Sequence, residues 1–127
     1  MEPFNIFDFD GTLADSMHVW PDSALQLVRE AGREPAPDLT RRLVHLNLTD
    51  SLRLMKREYQ LPQSEEELRQ MVLDRVETEY RFRIQPKPGA ERVLKTLQDR
   101  GCRCCVATST DSWLVQAALE RMGLASY

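Results

Sequence analysis

The spacing of apolar residues changes along the chain, and each change marks a different element. Residues 4–9 (FNIFDF) are a short apolar and aromatic run that stops at Asp10-Gly11, the punctuation expected after a β-strand. Residues 102–107 (CRCCVA) are small and β-compatible and follow Gly101, a natural stop for a preceding helix, so they predict a second strand. Nothing else in the chain reads clearly as strand. Between the two runs the period is helical. Ala24, Leu27, Val28 and Ala31 share one face of a helix over 17–31, with Pro21 either in its first turn or marking a kink and Gly32 at its end.

After Pro35-Ala36-Pro37, Asp38 predicts the cap of a short helix reaching His45. Thr49 or Asp50 predicts the cap of another that carries Leu52, Met55 and Tyr59. Ser64-Glu65-Glu66-Glu67 reads as a capping box, and Leu68, Met71, Val72, Val76 and Tyr80 follow at helical spacing in what should be the longest helix. Pro86 to Gly89 breaks the pattern. Ala90, Val93, Leu94 and Leu97 then define a helix leading into the second strand, and a last helix starts near Thr110 or Asp111 and ends at Gly123. The order is strand, a helical block of about 70 residues, helix, strand, helix, with no internal repeat. Such a block reads as an insertion into a parallel α/β unit.

Composition narrows the function classes. At 127 residues, 42% hydrophobic and 29% charged, the chain is a globular domain or part of one. Seventeen basic against twenty acidic residues give a net charge of −3, which offers no global attraction for nucleic acid or an anionic membrane. No apolar run approaches the ~20 residues of a bilayer-spanning helix, and the N-terminus carries acids where a signal peptide is basic and then apolar. With Cys102, Cys104 and Cys105 odd in number and clustered, the expectation is a cytoplasmic protein in a reducing compartment. Those cysteines lack metal-site spacing and read as a buried strand of small residues.

The chemistry concentrates at residues 8–12, Asp-Phe-Asp-Gly-Thr. Two carboxylates at i and i+2 where a strand ends can face one side, beside a glycine that admits close approach of the backbone. Carboxylate oxygens suit Mg²⁺, and the carboxyl ends of parallel strands are where α/β folds bind ligands. A phosphate ester fits: one aspartate attacks phosphorus, a metal neutralises the phosphoryl oxygens, and the other carboxyl moves protons. The alternative is an Asp-Gly hairpin turn with Asp8 and Asp10 merely solvated, although residues 12–17 make a poor return strand. The second candidate is Ala107-Thr108-Ser109-Thr110, whose hydroxyls either meet an anion at the start of the last helix or simply cap that helix. His18 and Trp20 follow the first motif. Arg41, Arg42, His45, Arg53 and Lys56 form a basic set in the helical block, either facing an anionic substrate or lying on a solvated face.

Asp8-Phe9-Asp10-Gly11-Thr12-Leu13-Ala14-Asp15-Ser16 resembles the first motif of the haloacid dehalogenase-like hydrolases, and Val106-Ala107-Thr108-Ser109 resembles the second. The helical insertion is similar to the cap of the phosphoglycolate phosphatase and β-phosphoglucomutase branch. The resemblance implies an α/β fold with a Rossmann-like parallel-sheet core, strands one and two only, over residues 1–14 and 85–127, and a helical cap over 15–84. It implies Asp8 as nucleophile and metal ligand, Asp10 as general acid/base and as metal ligand through its backbone carbonyl, and Gly11, Thr12, Thr108 and Ser109 around the phosphate. The cofactor would be Mg²⁺ and the substrate a small phosphorylated metabolite. A phosphosugar mutase and a truncated, binding-only relative are the alternatives. Members also carry a third-motif lysine and a fourth-motif acidic pair; Lys87 and Lys95 precede the second motif and no lysine follows Thr108. The expectation is therefore that a C-terminal segment or a second chain completes the core, and that the 127 residues alone are not a competent enzyme.

Overall fold

The computed structural model describes residues 3–127. The chain forms an α/β fold in which β1 (Phe4–Phe7) pairs in parallel with β4 (Arg103–Val106), Phe4 opposite Arg103 and Phe7 opposite Val106. Both strands are shorter than their apolar runs. The parallel pairing disposes of the hairpin alternative: the turn after β1 does not lead into a strand returning along it, and β1's partner lies some hundred residues away.

Instead, the chain tightens. Gly11 adopts φ +76°, a conformation open to glycine at little cost, and the Phe9 carbonyl accepts from the backbone N–H groups of Thr12, Leu13 and Ala14 while Gly11 N–H donates to Ala14. A two-residue strand follows, β2 (Ala14–Asp15), antiparallel to β3 (Gln85–Pro86), and Lys87 N–H extends the ribbon by donating to Leu13 at 2.8 Å. The sequence reading missed both strands. Two residues are too few to show alternation, and a proline sits in one of them, tolerated because such a ribbon has a free edge. The ribbon ties together the two points between which the helical excursion runs.

That excursion holds α1 (Val19–Glu30), α2 (Leu39–Leu43), α3 (Leu48–Tyr59) and most of α4 (Glu65–Phe82). In α4 the Ser64 hydroxyl accepts from the Glu67 N–H at 3.1 Å, the first half of a capping box, and its 18 residues make it the longest helix described. One cap falls elsewhere than the sequence suggested, and another stands at the expected position without its side-chain bond. Asn47, not Thr49 or Asp50, opens α3, its Oδ1 accepting from Asp50 N–H at 2.8 Å. Asp38 precedes α2 without a side-chain capping bond. The remaining helices, α5 (Ala90–Asp99) and α6 (Ser112–Arg121), flank β4 in sequence; α6 starts after Asp111, and neither Ser109 nor Thr110 caps it.

The chain divides into two compact units, one running up to Met17 and resuming over Glu77–Tyr127, the other His18–Val76. Each buries its own apolar set. The helical unit closes on Val19, Leu27, Val28, Leu39, Leu52, Met55, Leu68 and Val72, the stripe positions of α1 to α4. The strand-bearing unit buries Phe9, Leu13, Tyr80, Ile84, Leu94, Leu114, Val115 and Ala118. Its sheet is covered unevenly, for Phe4 is 59% and Ile6 68% exposed.

Candidate functional site

Both loops of interest leave the same end of the parallel pair. Ala107 N–H still donates to the Phe7 carbonyl at 2.9 Å, so Asp8 and Thr108 each emerge just beyond the last rung. The loops then bond directly: Thr110 Oγ1 donates to Asp10 Oδ2 at 2.7 Å across a hundred residues of sequence. The structure thus brings the two sequence motifs together at the carboxyl ends of the strands, where an α/β fold opens its ligand crevice.

Asp8 and Asp10 meet very different surroundings. Asp8 is exposed, and its Oδ1 accepts from the N–H of Phe9 at 2.9 Å. Phe9 between them is fully buried and anchors the turn, its ring 6.1 Å from that of Tyr80. Asp10 is half-buried and enclosed by hydroxyls. Ser16 Oγ donates to its Oδ1 at 2.6 Å, the Tyr80 hydroxyl donates to the same oxygen, and Thr110 takes the other. Burial first, and then the Asp10 carboxylate, push the Tyr80 phenol up to about 12, so it stays a donor throughout the neutral range. One carboxylate is therefore open to a ligand and the other is held.

Gly11 and Thr12 lie in the turn, Thr12 with its side chain exposed; a Cβ on Gly11 would come within 3.0 Å of Met17 Cγ. Thr108 Oγ1 accepts from Thr110 N–H at 3.1 Å, which shapes the loop, and Ser109 is exposed. Among the described residues no three His, Cys, Asp or Glu side chains gather as a metal site. The Asp8 carboxylate and the Asp10 carbonyl are two oxygens of the kind Mg²⁺ uses, an ion bound through one or two carboxylates with water and phosphate oxygens completing six. The residues present fit the metal in that limited sense.

Several other candidates resolve differently. Arg42 pairs with Glu58 and Arg53 with Glu65, while Lys56 Nζ donates to the Leu61 and Gln63 carbonyls beyond the end of α3. Three of the five basic residues of the helical block thus serve its own fold; Arg41 and His45 are exposed. His18 and Trp20 are both exposed, Trp20 by 41% rather than packed away. The cysteines are free, and burial pushes the Cys104 thiol up, away from nucleophilic use. Sequence reasoning missed Ser16, Tyr80 and Thr110 as partners of Asp10. For Ser16 and Thr110 the signal was available, a hydroxyl close to a motif; for Tyr80 none was.

Comparison with known proteins gives a concordant picture. The family described as haloacid dehalogenase-like hydrolase matches residues 5–127. The chain is 30% identical over 112 residues to a Drosophila melanogaster protein named "Probable pseudouridine-5'-phosphatase", covering 87% of this chain and 48% of that one. It is 30% identical over 135 residues to the phosphoglycolate phosphatase of Agrobacterium fabrum, covering 100% and 56%. Among solved structures, the "putative beta-phosphoglucomutase" of Thermotoga maritima superposes with a TM-score of 0.87 at 23% identity, over 100% of this chain and 58% of that one, a likeness of fold. The chain spans about half the length of the curated relatives it matches. Among the described residues no helix is long and apolar enough to cross a membrane.

Proposed function

Because the chain belongs to the haloacid dehalogenase-like hydrolase family, we propose that it is the nucleophile-bearing part of a Mg²⁺-dependent phosphohydrolase acting on a small phosphorylated metabolite. One observation carries this reading: an exposed Asp8 at the carboxyl end of a parallel strand, two residues before a carboxylate that hydroxyls hold in place. Phosphatase names among the relatives support it.

An Asp8 carboxylate oxygen attacks phosphorus, forming an acyl phosphate as the ester oxygen departs. Asp10, carrying the proton, gives it to the leaving alkoxide; then, as the base, it takes a proton from the water that attacks phosphorus and frees Asp8 and inorganic phosphate. Thr12, Thr108, Ser109 and the backbone at Gly11 donate to the non-bridging oxygens. Mg²⁺, held by the Asp8 carboxylate and the Asp10 carbonyl, would supply positive charge to the phosphoryl group.

Transferring a phosphoryl group needs cations on several sides. The single positively charged residue after Thr108 in sequence is Arg121, and it is engaged with the Tyr80 and Ile84 carbonyls. We therefore include in the proposal a further segment or a second chain that supplies a cation and covers the open side of the sheet. A reducing, cytoplasmic location accords with three free cysteines on and beside one strand.

The test is phosphate release from aryl and alkyl phosphates with Mg²⁺, by this chain and by any longer form that contains it, each with and without Asp8→Asn. Turnover should appear in the longer form and fall to background in the variant, because an amide neither attacks efficiently nor binds the metal equally well. Activity of Asp8→Asn within a few-fold of the parent removes the covalent mechanism.

A further inference from the structure

Tyr80 is placed where packing alone would be satisfied by phenylalanine. It lies on the buried stripe of α4, 1% exposed, with its ring against Phe9. A phenol so buried needs a partner for its hydroxyl. Its partner is not a nearby carbonyl but the Asp10 carboxylate, seventy residues earlier.

The frame around it is fixed from behind. Arg121 Nη2, from α6, donates to the Tyr80 carbonyl at 3.2 Å and to the Ile84 carbonyl at 2.6 Å, satisfying acceptors that the end of α4 leaves open. The same α6 follows the loop whose Thr110 holds the other Asp10 oxygen. Ser16 and Thr110 are short side chains in loops. Tyr80 is a rigid ring wedged in a core, with two rotatable bonds before its hydroxyl.

We propose that Tyr80 is a positioning residue for Asp10, its core-anchored hydroxyl fixing the orientation of the carboxylate at the end of β1. Hydrogen bonds to an ionised acceptor are shorter and about twice as strong as neutral ones, so a donor on a rigid ring selects one orientation of the carboxylate strongly. The holding is a property of the fold; its catalytic meaning rests on the proposed phosphohydrolase, in which Asp10 carries the proton.

The test uses Tyr80→Phe, which keeps the ring and removes the donor, with Thr110→Val as a second variant whose hydroxyl is lost from the other oxygen. In the chain labelled with ¹³C-carboxyl aspartate, and assigned through Asp10→Asn, the Asp10 signal should shift in Tyr80→Phe, and its side-chain couplings should move toward rotamer-averaged values. Unchanged signal and couplings overturn the proposal. Where phosphate release is measurable, Tyr80→Phe should lose about ten- to a hundred-fold in kcat on alkyl phosphates, with KM and aryl-phosphate rates within a few-fold. Equal losses on both ester classes overturn the link to proton transfer. If the parent releases no phosphate in any form, the phosphohydrolase reading fails, while the carboxyl signal still decides whether Tyr80 positions Asp10.

Discussion

Tyr80 also carries a pH signature. Its phenol is pushed up to about 12, by burial first and then by the Asp10 carboxylate. Below an ordinary phenol value of about 10 the group is protonated in both folded and unfolded chains and favours neither. Above it the unfolded chain ionises while the folded one does not, so the unfolded state binds fewer protons and stability falls as pH rises toward 12. Denaturant midpoints should fall between pH 9 and 11, and less steeply in Tyr80→Phe; parallel falls in the two proteins would contradict the assignment. The residue scale also shows what a sequence hides. The placement of Asp8, Asp10 and Thr108 at the ends of the two pairing strands was legible because carboxylates and a hydroxyl directly after apolar runs mark where such strands stop. Tyr80 was not, since a tyrosine in a helical stripe looks like any other core residue until the fold shows what its hydroxyl meets.

At the scale of elements, six helices and the two pairing strands follow from apolar spacing and from Gly and Pro punctuation, whereas their ends depend on single hydrogen bonds. Asn47 was overlooked as a cap because Thr49 and Asp50, equally good cap formers, stand two and three residues later. In the structure Thr49 instead accepts from Arg69, and Asp50 lends its N–H to Asn47. Asn47→Ala and Ser64→Ala should each lower stability by about 1 kcal/mol in urea titrations, the usual cost of an N-cap side chain. Asp50→Ala should cost only a few tenths, the scale of an exposed charge on the helix dipole. A larger loss at Asp50 than at Asn47 would reverse the cap assignment. The β2–β3 ribbon escaped the sequence altogether. Its register comes from the Phe9–Ala14 turn and the Leu13–Lys87 bond rather than from any alternation of its own.

For the whole molecule, the sheet is the feature that most departs from a self-sufficient fold. Parallel sheets are ordinarily covered on both faces, yet here Phe4, Ile6 and Cys105 are exposed, and among the described residues each strand has a partner on one side only. A cleft of about 300 Å³ lies among Phe7, Leu94, Val106, Val115 and Leu119 in the same unit. The chain should self-associate in sedimentation experiments and bind an apolar fluorescent dye. Ile6→Thr, which keeps the β-branched shape and removes much of the exposed apolar surface, should reduce both. A monodisperse, dye-silent parent would show that this face needs no cover.

The hydroxyl cluster around Asp10 has a consequence for the order in which the chain folds. Its donors stand 6, 70 and 100 residues from the acceptor along the sequence. Contacts so distant bear a loop-closure cost that short-range helical contacts do not, so they form after local structure has shortened the path. The Asp10 carboxylate is therefore among the last groups to acquire its surroundings. Partly folded forms with helices in place would still carry an Asp10 free to turn, unheld until the loop after the distant strand and the end of the long helix arrive.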